Sequence, residues 1–371
     1  MIATRSRTRR IIPSRLRVSV LIGLFAATCA LASPIVRAEN LPGLAIGLAS
    51  NALSPVTFNE TVSVAVQRTT SAKKTNAANQ SISFRRSATF AVSAPDTVTR
   101  ERSMTFTAGP LSVATDVAKD QSRRLIRLLS GQVFRIAAAN VAVKLTTTVD
   151  GIPLRIANWD AVRAQMLTGI NEAYDVILAP LIESGVVSEA LKAQIISSAE
   201  TRARGRLLQL TAERALDVFL LPALMTAGYG TTFEAGATTG SGARPITGNG
   251  VVDIPGTAAA TRAAAQPQSL TVTTEFDSSA LTKQVLRTYT VVLMANKMMQ
   301  EQQGKKVDAA DIDKLVQRLK DKLKVTRTSR LTLSLPAPNT WPTSARYEMT
   351  GVTEFSATTT TRETITVTAA E

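Results

Sequence analysis

Few groupings of residues in this chain could do chemistry. Ser71-Ala72-Lys73-Lys74 has the S-x-x-K spacing in which a lysine amine activates a serine hydroxyl. That chemistry needs a desolvated lysine at the start of a buried helix. Here the motif enters a polar stretch, Lys73 to Asn79, between two strand patterns, where an amine stays hydrated and protonated. It is read as a hairpin loop. Gly240-Ser241-Gly242 lacks the third glycine of a dinucleotide fingerprint and follows no parallel-strand pattern, and no P-loop string occurs. Asp160, Glu172 and Asp175 fall on the polar side of one helical pattern. A carboxylate-type hydrolase would need two such acids facing one cleft, about 5 to 9.5 Å apart; the simpler reading is a solvated helix face. Trp159 and Trp341 flank turns and read as core plugs or interface residues rather than sugar platforms.

The chain has no histidine. That removes imidazole general bases, the Ser-His-Asp and Cys-His arrangements, and histidine metal sites. Its one cysteine, Cys29, lies inside an N-terminal leader, so the body has no thiolate for zinc, iron–sulfur or redox chemistry, and no disulfide. The remaining carboxylates and carbonyls suit Ca²⁺ or Mg²⁺, but no acidic loop has calcium-binding spacing. No catalytic, cofactor-binding or metal-ligating residue is assigned, no cofactor is expected, and the expectation is a protein that is not an enzyme.

The leader has three parts. Arg5, Arg7, Arg9, Arg10, Arg15 and Arg17 form a basic segment, Val18 to Ala32 is an apolar run, and small-x-small triplets follow at Ala30-Leu31-Ala32 and Val36-Arg37-Ala38. This is the order a signal peptidase reads, with cleavage after Ala38 favoured over Ala32. The apolar run is about fifteen residues, short of the roughly 20 that span a bilayer, which disfavours a retained anchor. Thr8-Arg9-Arg10 leaves the twin-arginine route open beside the general one, and Thr28-Cys29 is a poor lipidation box. The expected location is the periplasm, with a secreted or envelope-associated protein as the alternative. Seven of the 43 basic residues and none of the 28 acids lie in the leader, so the body keeps 36 bases against 28 acids, an excess of +8. That suits a soluble surface, or contact with an anionic envelope surface. Aromatics are 4% of the chain, too few for base stacking or for the girdles of a membrane barrel, so neither a nucleic-acid partner nor a transmembrane body is expected.

Residues 39–157 alternate with period two, through Val62, Val64 and Val66, then Ile82, Phe84, Ala88, Phe90 and Val92, then Met104 and Phe106. One helix is expected over Arg123 to Ala139. Val141, Val143 and Leu145 then meet Ile152, Leu154 and Ile156 across Asp150-Gly151, a hairpin with a type I′ turn. Residues 158–227 read as a helical segment, capped by the Asn158 side chain and ended or kinked at Pro180. A second helix starts near Ser188 and resumes after Gly205 with Leu207, Leu208, Leu216 and Leu220 inward. Residues 228–268, rich in Gly, Ala and Thr, read as a flexible loop holding at most a short hairpin. Residues 269–371 return to strands, at Leu270 to Phe276, at Val285 to Leu293, and at Leu331 to Leu335, Tyr347 to Met349 and Ile365 to Val367. One amphipathic helix begins at Asp308, with Ile312, Leu315, Leu319 and Leu323 inward.

The fold class expected is α+β: a strongly curved antiparallel sheet drawn from both chain ends, with the central helical segment packed against it, 39–371 forming one domain. Such a body with no catalytic residues points to an exported cell-envelope protein that binds or carries an apolar ligand or lipidated partner, its candidate partners being a lipid, a lipoprotein or an envelope protein. The alternative is a structural or assembly factor that docks an envelope partner.

Overall fold

The structure, a computed structural model, describes residues 43–48, 53–69, 80–116, 133–183, 185, 187–246, 256–263, 268–302, 309–337, 339–355 and 358–370. The chain divides into two compact units, Met1–Arg37 and Ala38–Glu371, and every described residue belongs to the second. Ser71, Lys73, the leader and the first part of the helix expected from Arg123 lie outside the described residues.

The strands are β1 (Leu44–Ala45), β2 (Leu53–Thr69), β3 (Gln80–Val92), β4 (Arg102–Ala108), β5 (Ser112–Asp116), β6 (Ala142–Thr147), β7 (Pro153–Ile156), β8 (Thr232–Phe233), β9 (Thr239–Gly240), β10 (Gly256–Ala263), β11 (Gln268–Phe276), β12 (Lys324–Leu335), β13 (Ser344–Glu354) and β14 (Thr358–Ala369). The α-helices are α1 (Val133–Ala137), α2 (Trp159–Glu183), α3 (Glu189–Gln209), α4 (Leu220–Thr226), α5 (Ser278–Gln302) and α6 (Ala309–Lys322), with a 3₁₀ turn at Arg214–Val218.

Twelve strands make one antiparallel sheet in the order β7-β6-β4-β3-β2-β14-β13-β12-β11-β10-β9, with β5 also on β3. The seam at its middle joins the two chain ends: β14 pairs β2 from Thr358↔Thr69 to Ala369↔Phe58. The α+β class and the large antiparallel sheet stand. The strong curvature does not, because the sheet is open, with β7 and β9 as its edges. Curling takes repeated bulges or glycine kinks. Here the pairings of β10 through β14 and on to β2 run in unbroken register, and shifts occur only at Leu53/Val56 and Thr146/Thr147.

One face is apolar. Phe58, Val62, Phe84, Phe90, Met104, Phe106, Val143, Leu145, Leu331, Tyr347 and Ile365 are buried against Val162, Met166, Ile170 and Ile177 of α2 and Leu221 and Leu224 of α4. The other face carries Ser, Thr and Arg, as period-two alternation requires. A smaller cluster, Phe276, Leu281, Leu323 and Val325, seats α5 on the strand ends of β11 and β12.

Several local expectations change. Val285 to Leu293 belongs to helix α5, not a strand. Asp277 caps it, its Oδ1 accepting from Ser279 N (2.7 Å) and Ala280 N (3.1 Å), and Leu281, Val285 and Tyr289 keep four-residue spacing. The 148–152 turn has Gly151 alone at positive φ (+86°), while type I′ would need Asp150 there as well. Asn158 does not cap α2 with its side chain: its Oδ1 accepts from Lys144 N (2.8 Å) and its Nδ2 donates to Ala142 O (2.9 Å), tying the helix start to β6. α2 runs past Pro180 to Glu183, and α3 runs through Gly205, where no neighbour lies within 4 Å of an added Cβ. Leu207 is buried, but Leu208 is 58% exposed. Within the Gly-rich stretch, Gly256–Ala263 is a full strand, β10, paired residue for residue with β11. Small Ala and Thr side chains carry little apolar signal, so this strand reads from sequence as loop.

Candidate functional site

A cleft of about 530 Å³ opens where α1 and α2 meet the link between β4 and β5. Its floor is Ile136, Ala137, Val141 and Ala173, all buried; Gln165, Thr168, Glu172 and Val176 of α2 and Asn140 stand exposed at the rim. The sequence builds it from three local devices. Gly109-Pro110-Leu111 interrupts the edge facing β3, since β4 ends its pairing at Ala88↔Ala108 and β5 resumes at Arg85↔Ser112. Asn140, at φ +61°, turns the chain out of α1 and donates its backbone N–H to Ala108 O at 2.6 Å. Asparagine tolerates that left-handed conformation. Gly169 lets α2 approach closely, because a Cβ there would stand 3.1 Å from Ala137 O.

The wall helix α1 has five residues, too short to be stable alone. It is anchored by a cluster of four buried charges, three on the apolar face of the sheet and the fourth, Arg135, on α1 itself. Glu60 of β2 and Arg86 of β3 are direct cross-strand partners and form an ion pair through Arg86 Nε. Arg86 Nη1 donates to the carbonyl of Arg135, in α1, at 3.1 Å. Arg135 Nη2 lies 3.8 Å from Glu363 Oε1 on β14. Two acids and two bases cancel, as burial demands. Burial pushes the Glu60 carboxyl upward, but Arg86 and Arg135 outweigh it and hold the group below its ordinary value.

Glu172 is the one carboxylate among the described lining residues. The Thr168 hydroxyl is engaged by its own helix, donating toward Ala164 O (3.1 Å) and Gln165 O (2.9 Å). The three acids singled out in the sequence do not converge. Asp160 pairs with Arg163 at 2.6 Å, Asp175 pairs with Lys192 at 2.9 Å, and Glu172 alone reaches the cleft. Gly240-Ser241-Gly242 forms the end of β9 and a bridge from Ser241 to Thr232, and opens no helix among the described residues. Among the described residues no group of three or more acids or thiols is placed to hold a metal. Both tryptophans are core residues. Trp159 donates Nε1–H to Leu210 O at 2.9 Å, and Trp341 sits 5.0 Å from Phe90 and 6.2 Å from Phe58.

Sequence reasoning missed the four-charge cluster, yet a signal was present. Glu60, Arg86 and Glu363 each occupy an inward phase otherwise filled by Phe58 and Val62, Phe84 and Ala88, or Ile365 and Val367. A charge in the apolar phase of an alternating strand is a call for an internal partner.

No family model and no curated protein matches the chain. Among solved structures it is similar to a chain from a study of lipid–protein interactions in lipovitellin, at TM-score 0.32 and 9% identity. The match covers 85% of this chain and 25% of that one, so this chain spans about a quarter of its neighbour's length. A likeness that distant carries no argument about function.

Proposed function

We propose that the chain is a non-enzymatic binding or carrier module of the cell envelope, exported by its leader, that holds an apolar ligand or the lipid-modified part of a partner protein. The observation that carries this reading is the cleft of about 530 Å³, with an aliphatic floor under a polar rim. Small-molecule sites have that size, with apolar side chains supplying contact and polar groups such as Asn140, Gln165, Thr168 and Glu172 fixing orientation. A cavity of this volume suits one acyl chain or a short apolar segment. The missing imidazole and thiol chemistry, and the lone carboxylate in the lining, support binding over turnover. Among the described residues no helix is long and apolar enough to cross a membrane.

The test uses a fluorescent fatty-acyl probe and the full chain. Val176→Trp and Thr168→Trp replace exposed rim residues and place an indole over the mouth. Probe binding to the parent chain, weakened at least tenfold in both variants at unchanged melting temperature, is the expected result. Equal binding by parent and variants removes the cleft as the site.

A further inference from the structure

At the opposite end of β4 from the cleft, six residues or about 20 Å along the strand, Arg102 faces inward in the phase of Met104, Phe106 and Ala108. It is 2% exposed. Among the described residues its Nε, Nη1 and Nη2 all lack a hydrogen-bond partner. Across the sheet it opposes Thr147, fully buried, whose hydroxyl donates instead to Thr148 O at 3.0 Å. The acid whose charge acts on it is Asp150, exposed in the 148–152 turn, and among the described residues the two form no ion pair.

The turn beside it is strapped down. Residues 43–48 run between two segments, with Leu48 N donating to Asp150 O at 3.1 Å and Ile46 N to Thr231 O at 2.9 Å. Gly151 lies against Leu48 and Tyr229. Thr231 is fully buried, and among the described residues its hydroxyl also lacks a partner. An uncompensated buried guanidinium is strongly unfavourable, and Arg does not deprotonate to escape. Its fork of donors matches an oxyanion.

We propose that Arg102 is an anion receptor that binds a carboxylate or phosphate group at its own end of β4, opposite Thr147 and beside the 148–152 turn. It stands apart from the cleft, so blocking Val176 or Thr168 leaves it untouched.

The experiment titrates the full chain calorimetrically with inorganic phosphate and, separately, with octanoate, at ionic strength matched by chloride. Expected is binding of one or both in preference to chloride, weakened at least tenfold in Arg102→Met, as loss of a charge-assisted hydrogen bond implies. Arg102→Lys keeps the charge but loses the fork, and is expected to fold and bind several-fold more weakly than the parent. Preference for octanoate assigns a carboxylate head group, and preference for phosphate assigns a phosphate ester. Asp150→Asn is expected to keep or tighten binding. No preference over chloride overturns the proposal, as does binding unchanged in Arg102→Met. It is also overturned if Asp150→Asn lowers the melting temperature as much as Arg102→Met with no further loss in the double variant, since Asp150 is then the partner.

Discussion

Removing Arg86 tests whether the buried charges anchor the cleft wall. Glu60 is 1% exposed, and Arg86 is its hydrogen-bonded partner. In Arg86→Met the carboxylate keeps only Arg135 nearby, which is already shared with Glu363 at 3.8 Å. Breaking a buried pair by removing one partner costs about 3 to 5 kcal/mol. The lost donation to the Arg135 carbonyl adds about 1 kcal/mol. Replacing both members, in Glu60→Leu with Arg86→Met, removes the unpaired charge and leaves Arg135 and Glu363 as a neutral pair. Such replacements are near neutral or stabilising, so the double variant is expected within about 1 to 2 kcal/mol of the parent, a coupling of at least about 2 kcal/mol. Urea unfolding followed by far-UV circular dichroism at pH 7 reads these values, with unchanged slope confirming comparable unfolding. Arg86→Met within about 1 kcal/mol of the parent, or a double variant equal to the sum of the singles, refutes the account.

Three further outcomes follow from the same geometry. Glu60 titrates below its ordinary value of 4.5 when folded, so its ionisation stabilises fully above that pH and the contribution disappears as pH falls through the depressed value. Urea midpoints measured from pH 6 to pH 3 are therefore expected to fall more steeply for the parent than for the Glu60→Leu/Arg86→Met chain, and parallel profiles would exclude Glu60 as the cause. Gly169→Val forces a side chain against Ala137 O, where even Cβ would stand 3.1 Å away. It is expected to cost about 1 to 3 kcal/mol in urea unfolding and to weaken acyl-probe binding, whereas a neutral effect would mean that α1 and α2 do not pack there. Leu207→Ala is expected to cost about 2 to 5 kcal/mol and Leu208→Ala, at 58% exposure, less than about 0.5 kcal/mol; similar losses would contradict the orientation of α3.

Alternation made much of the sheet readable. Leu331, Leu333 and Leu335 in β12, and Phe84, Phe90, Met104 and Phe106 in β3 and β4, are buried in the phase expected of them. The amphipathic stripe of α6 was equally plain, with Ile312 and Leu319 buried and Leu315 half-buried, and Leu323 buried just past its end. Legibility failed where two periodicities overlap. The β-branched run Val291-Val292 favours a strand reading, while the Asp277 cap and the spacing of Leu281 and Val285 make a helix. It failed again at Asn158, where a distant strand outcompeted the local cap. The cleft was invisible because it depends on the meeting of residues far apart in sequence, Leu111, Ala137 and Gly169, at a break in strand pairing. Sequence spacing does not report such a meeting. The charge cluster was legible only as an anomaly, at Glu60, Arg86 and Glu363.

Native mass spectrometry of the full chain expressed with its leader and isolated from the cell envelope tests the carrier reading most directly. Expected is a processed protein carrying a lipid-sized adduct, or a lipid-modified partner, that is lost in Val176→Trp. A bare mass for the parent chain, with the acyl probe unable to bind it, contradicts the account.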